Sequence, residues 1–110
     1  ISLKHIFIPL KDILNENDDI VALIKPQFEA GKELVGKNGV VREKSTHYKV
    51  IQDVINYAQT LDLYPEKLTF SPIKGPAGNI EYLVKLVNHK TDFESDLINK
   101  IVEEANENNF

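Results

Sequence analysis

Two apolar stretches, Leu68 to Phe70 and Ile80 to Val87, are separated by only nine residues, Ser71-Pro72-Ile73-Lys74-Gly75-Pro76-Ala77-Gly78-Asn79. No other feature constrains the fold as much. The prolines and glycines make the segment a turn-rich loop. A crossover between parallel strands needs about a dozen residues or more. The two strands are therefore expected to run antiparallel. Tyr82, Val84 and Leu86 fall on one face of the last strand, and Leu83 and Val87 on the other.

Upstream, Ile20-Val21-Ala22-Leu23-Ile24 is apolar on both faces, which suits a central, buried strand. It ends at Lys25-Pro26, because Pro26 cannot donate to a ladder. Leu3, Ile6, Phe7, Leu10, Ile13 and Leu14 recur at helical spacing, with Pro9 inside to kink the helix or begin its regular part. Residues 29–42, with Gly31, Gly36 and Gly39 among charged side chains, read as a mobile surface loop. From Ser45, a second stripe (Val50, Ile51, Val54, Ile55, Ala58, Leu61) predicts a helix capped by Ser45 or Thr46. Thr91 and Glu94 have capping-box spacing before a third stripe, Phe93, Leu97, Ile98, Ile101, Val102 and Ala105. Asn106 to Asn109 are expected to fray.

The order is helix, strand, helix, strand, loop, strand, helix. The fold class is α/β. The first strand, helix and second strand read as a βαβ unit of a doubly wound sheet, with the last strand antiparallel. At 110 residues the chain is one domain at most, or a piece of one. Three strands do not close a good α/β sheet, so an edge is expected to be bare and open to self-association. The chain contains no Met, and Ile1 opens it, which leads us to expect a fragment.

Composition removes several chemistries. With no cysteine there is no disulfide framework, thiolate nucleophile, iron–sulfur cluster or Cys-based zinc site. His5, His47 and His89 show no metal-ligand spacing. The apolar run of five residues at Ile20–Ile24 is the longest, too short for a bilayer helix. The net charge of -4 is uneven: residues 25–49 carry +3, and residues 89–110 carry -4. An acidic total argues against whole-surface nucleic-acid binding, but the basic segment can meet phosphate or be a solvated loop.

In open α/β sheets the ligand crevice lies at the carboxyl ends of the parallel strands. Lys25 stands at that end of the first strand. An antiparallel last strand starts at the same edge, near Glu81. The two are expected to meet as a pair able to position or accept a proton. Lys74, Gly75, Pro76 and Gly78 suit close approach of a phosphate backbone. Each has a plainer reading: Lys25 as a strand-end lysine, Glu81 as a solvated charge, Phe28 as loop packing. His47 reads as a surface residue of the first helical turn, and the four tyrosines as packing. No GxGxxG or P-loop is present.

Four segments in order carry a resemblance: Ile1-Ser2-Leu3, Val21 to Gly31 with its KPQFEAG, Gly39-Val40-Val41-Arg42, and Ser71 to Tyr82 with SPIKGPAGNIEY, of which KPQFEAG and SPIKGPAGNIEY also stand at matching separation. Over roughly residues 1–88 the chain resembles the C-terminal part of the TlyA, or hemolysin A, family. Those proteins look like FtsJ-type ribosomal RNA 2′-O-methyltransferases with an N-terminal S4-type RNA-binding domain. The resemblance implies the C-terminal portion of a Rossmann-like methyltransferase sheet, followed over 89–110 by an acidic helix and tail. It implies S-adenosylmethionine as cofactor, ribosomal RNA as partner and a cytoplasmic location. The family's Lys–Asp–Lys–Glu tetrad places its second lysine on Lys25 and its glutamate on Glu81. Phe28, Arg42, Lys74, Gly75 and Asn79, in the matching segments, become candidates for holding substrate. The remaining tetrad members, the cofactor loop and the S4-type domain are expected upstream of Ile1, leaving the fragment inactive by itself. A non-catalytic RNA- or protein-binding module is the alternative; a cytolysin fits poorly, since the amphipathic stripes are needed for a core.

Overall fold

The structure, a computed structural model, describes residues 2–15 and 17–107. Its elements are α1 (Lys4–Ile13), β1 (Asp19–Ile24), α2 (Pro26–Glu29), α3 (Lys44–Thr60), β2 (Tyr64–Phe70), β3 (Tyr82–Val87) and α4 (Asp96–Glu107). The sheet order is β1-β3-β2, and β3 runs antiparallel to both neighbours. The two outer strands are therefore parallel to each other, and the nine-residue loop does reverse the chain.

The helices stack on one face. Ile24, Tyr82, Val84 and Leu86 point into a core closed by Ile51, Val54, Ile55 and Ala58 of α3 and Ile98 and Val102 of α4. α4 packs on both β2 and α3, and Phe7 of α1 is fully buried. Burying a side chain of that size contributes about 1.5–3 kcal/mol. The opposite face of the sheet is bare among the described residues. There Val21 is 67% exposed and Leu23 37%. β1 is thus an edge strand here and not the central one its apolar run suggested, because β3 inserts between it and β2.

Other local expectations change. α3 starts at Lys44 with Glu43 at its cap position and no side-chain cap bond, so neither Ser45 nor Thr46 caps it. Thr91 is not a cap either. Its hydroxyl donates to the Pro65 carbonyl, and α4 begins only at Asp96. Pro65 adjoins a register shift in β2, where a missing N–H is tolerated. Residues 29–42 hold two short 3-10 turns, Lys32–Leu34 and Lys37–Gly39. Asn106 is helical and donates to the Val102 carbonyl at 2.8 Å, whereas Asn108 and Asn109 lie outside the described residues.

Candidate functional site

The carboxyl ends of β1 and β2 and the start of β3 form one rim. Ile24 and Phe70 both pair with Tyr82, and Ser71 N–H donates to the Glu81 carbonyl at 2.8 Å. Extending the β1–β3 register by one residue sets Lys25 opposite Glu81. The two candidate residues therefore reach the same edge, from strands of opposite direction.

Their side chains are held apart. Lys25 precedes α2, whose first residue, Pro26, is buried and needs no N–H partner. The Lys25 ammonium rests over the Phe28 ring, 5.3 Å from its centroid. Glu81 is 6% exposed. Its Oε2 accepts from the Gln27 amide at 3.1 Å. Gly75 packs directly on the carboxylate, where a Cβ would overlap it. No hydrogen bond or ion pair joins Lys25 to Glu81 among the described residues. A neutral amide offsets only part of what a carboxylate loses on leaving water, so a cation reaching Glu81 would be favoured.

Beside Lys25 lies a cavity of about 210 Å³ lined by Leu3, Ile6, Leu23, Lys25, Phe28 and Glu29. Glu29 is structural: it accepts from the Ser2 hydroxyl at 2.7 Å and the Leu3 N–H at 2.8 Å, pinning the start of α1. A larger groove of about 470 Å³ lies on the bare face, between Val21, Leu83 and Thr69. It is away from the strand ends, where α/β sheets place their chemistry. The cavity beside Lys25 is below the roughly 300 Å³ at which cofactor-sized sites begin. By itself that cavity does not enclose a nucleoside cofactor. Nor do the described residues hold a cluster of three metal-ligating side chains.

The loops of the rim are fastened by Asn79, which is 2% exposed. Its Oδ1 accepts from Val41 N–H at 3.0 Å, and its amide donates to the Gly39 and Pro76 carbonyls at 2.9 and 3.1 Å. The amide is thereby taken up by two backbone segments about forty residues apart. Phe28, Arg42 and Lys74 are exposed around the rim, and Gly75 is half-buried.

Beneath the rim lies His47, 1% exposed and not the surface residue its helical position suggested. Its Nε2 lies 2.8 Å from the Val41 carbonyl and its Nδ1 2.8 Å from the Tyr82 hydroxyl. A carbonyl only accepts, so Nε2 carries the proton and Nδ1 accepts from Tyr82. Burial lowers the His47 pKa below its ordinary value, with the Val41 bond opposing, so the ring is neutral. Burial likewise pushes the Tyr82 phenol up. One signal of this was present: His47 is three and four residues before Val50 and Ile51, on the same stripe. Gln27 and Glu29, within the matched KPQFE segment, carried no such signal.

A family model described as FtsJ-like methyltransferase matches residues 2–88. YqxC of Bacillus subtilis, provisionally named an rRNA methyltransferase, is 44% identical over 78% of this chain and 31% of its own length. The 16S/23S rRNA (cytidine-2′-O)-methyltransferase TlyA of Mycobacterium tuberculosis is 38% identical over 78% of the chain and 32% of its length. A solved protein of Streptococcus thermophilus, provisionally named a hemolysin, matches with a TM-score of 0.90 and 41% identity, over 97% of this chain and 39% of that one. The chain spans about a third of the length of the curated relatives it matches.

Proposed function

The chain belongs to the FtsJ-like methyltransferase family, and from that premise we propose that it carries the lysine–glutamate half of an rRNA ribose 2′-O-methyltransferase site. The observation that supports this reading most is the rim itself. Lys25 and Glu81, fifty-six residues apart, fall opposite each other at the carboxyl edge when the β1–β3 register is extended by one residue, with the two side chains resting on other neighbours.

A ribose hydroxyl is a very weak acid, so its attack on a methyl group needs a base or cation beside it. Lys25 takes the hydroxyl proton, and Glu81 orients the amine and balances the charge it gains. Help of this kind is worth about 10²–10⁴-fold. S-adenosylmethionine supplies the electrophilic methyl in this reading. The cavity beside Lys25 does not by itself enclose it, and the chain alone is expected to be inactive. Phe28, Arg42 and Lys74 hold RNA at the rim, while Gly75 and Asn79 set the loop that carries Lys74. Residues 1–88 form the methyltransferase portion and 89–110 the appended helix and tail. An rRNA substrate implies a cytoplasmic protein, and the bare β1 edge is where a second copy would pair. Although one matched structure is provisionally named a hemolysin, no helix among the described residues is long and apolar enough to cross a membrane.

The test is transfer of labelled methyl from S-adenosylmethionine to ribosomal RNA by a protein of the relatives' full length carrying this chain. Label on a ribose 2′-oxygen is expected. A protein that binds rRNA but never S-adenosylmethionine would instead be a binding module.

A further inference from the structure

Neither the spacing of the sequence nor its resemblance singled out Gln27, which lies between Lys25 and Phe28. A carboxylate only accepts, so the Gln27 amide turns its nitrogen to Glu81, at 3.1 Å, and its carbonyl away. That carbonyl oxygen is buried and has no hydrogen-bond partner among the described residues. Buried polar atoms are almost always paired, so an orphan acceptor behind a buried carboxylate marks a place for a donor. One side chain thus links the buried carboxylate, through its nitrogen, to an unfilled acceptor, its own carbonyl oxygen. Two residues earlier stands an ammonium, resting on the face of Phe28, a ring that is itself 55% exposed.

We propose that Gln27 is a positioning residue of the methyl-transfer site, receiving the Lys25 ammonium jointly with Glu81. This rests on the reading of Lys25 and Glu81 as the proton-handling pair. Phe28 is the resting station. When RNA engages that exposed ring, the amine leaves it and enters the space between the Glu81 carboxylate and the Gln27 carbonyl. There the ammonium gives up one proton to solvent. The neutral amine keeps two N–H donors, which meet these acceptors, and turns its lone pair to the ribose hydroxyl, whose proton it takes as the oxygen attacks the methyl. The charge that Lys25 gains with the hydroxyl proton then has two fixed partners, and the Gln27 N–H keeps the carboxylate from turning away. Gly75 makes room for this arrangement, since any Cβ there would occupy the carboxylate's position.

The test is a double-mutant cycle in a full-length protein carrying this chain. Gln27→Met keeps side-chain length and removes both polar groups. The expected result is a kcat for methyl transfer about 10- to 100-fold lower, the scale of a small misplacement of a reacting group, with KM for RNA held within about two-fold. In a Glu81→Gln background the same change should cost less than about three-fold, because the group it aligns is gone. If Gln27→Met does not fold, Gln27→Asn, which retracts the amide, enters the same cycle. An unchanged kcat while Lys25→Ala abolishes transfer would overturn the proposal and leave the underlying reading intact. Equal losses in both backgrounds would also overturn it, as a packing role predicts. Full activity of Lys25→Ala would overturn the underlying reading itself.

Discussion

The Tyr82 hydroxyl donates to His47 Nδ1 at 2.8 Å inside the core, with the two rings edge to face at 5.6 Å. This contact ties α3 to the residue directly after Glu81. The other nitrogen of the same imidazole holds the Val41 carbonyl, and Val41 N–H is held by Asn79. Four segments that meet at the rim are thereby braced through one buried ring.

That ring makes stability depend on pH. The unfolded chain protonates His47 near its ordinary value of 6.5, whereas the folded chain resists until lower pH. Below about 6.5 the unfolded state binds more protons, so stability is lost as pH falls and is full above that value, with a slope of up to about 1.4 kcal/mol per pH unit for one group. Urea midpoints measured from pH 8 to 5.5 should decline below 6.5. A His47→Gln variant should be less stable at pH 8 but show a flatter profile.

Asn79→Ala should leave the buried Val41 N–H without an acceptor and untie residues 36–41 from the 71–79 loop. An unsatisfied buried group costs about 1–3 kcal/mol. Hydrogen exchange should accelerate at Val41, while amides in the middle of α3 keep their protection relative to the variant's own global stability.

Gly75→Ala would put a methyl where the Glu81 carboxylate lies. The carboxylate must then move, because the other party is backbone. Methyl transfer by the full-length variant should fall at least about ten-fold, with a thermal midpoint close to that of the parent. Gly78→Ala, in the same loop but with nothing within 4 Å of a Cβ, separates backbone strain from the loss of space.

Elements that depend on spacing were legible in the sequence. The short 71–79 loop set the direction of β3, and Lys25-Pro26 ended β1. Together these brought residues 25 and 81 to one edge before any coordinates. Features that depend on distant partners were not legible. Asn79 was a substrate candidate because its segment matched a family, and nothing in its spacing announced that backbone from residues 39 and 41 engages its amide. Gln27 and Glu29 find partners across the fold, at Glu81 and at Ser2 and Leu3. Thr91 had the spacing of a cap, but a carbonyl in β2 competed for its hydroxyl more effectively than the helix start. The central position expected of β1 failed because an apolar run reports that both faces avoid water, not which strands flank it.

The most direct measurement is the rate of methyl transfer to ribosomal RNA by a full-length protein in which Lys25 is replaced by alanine. The account predicts a loss of about 10²-fold or more, with RNA binding and the thermal midpoint nearly unchanged. A rate within a few-fold of the parent would contradict it.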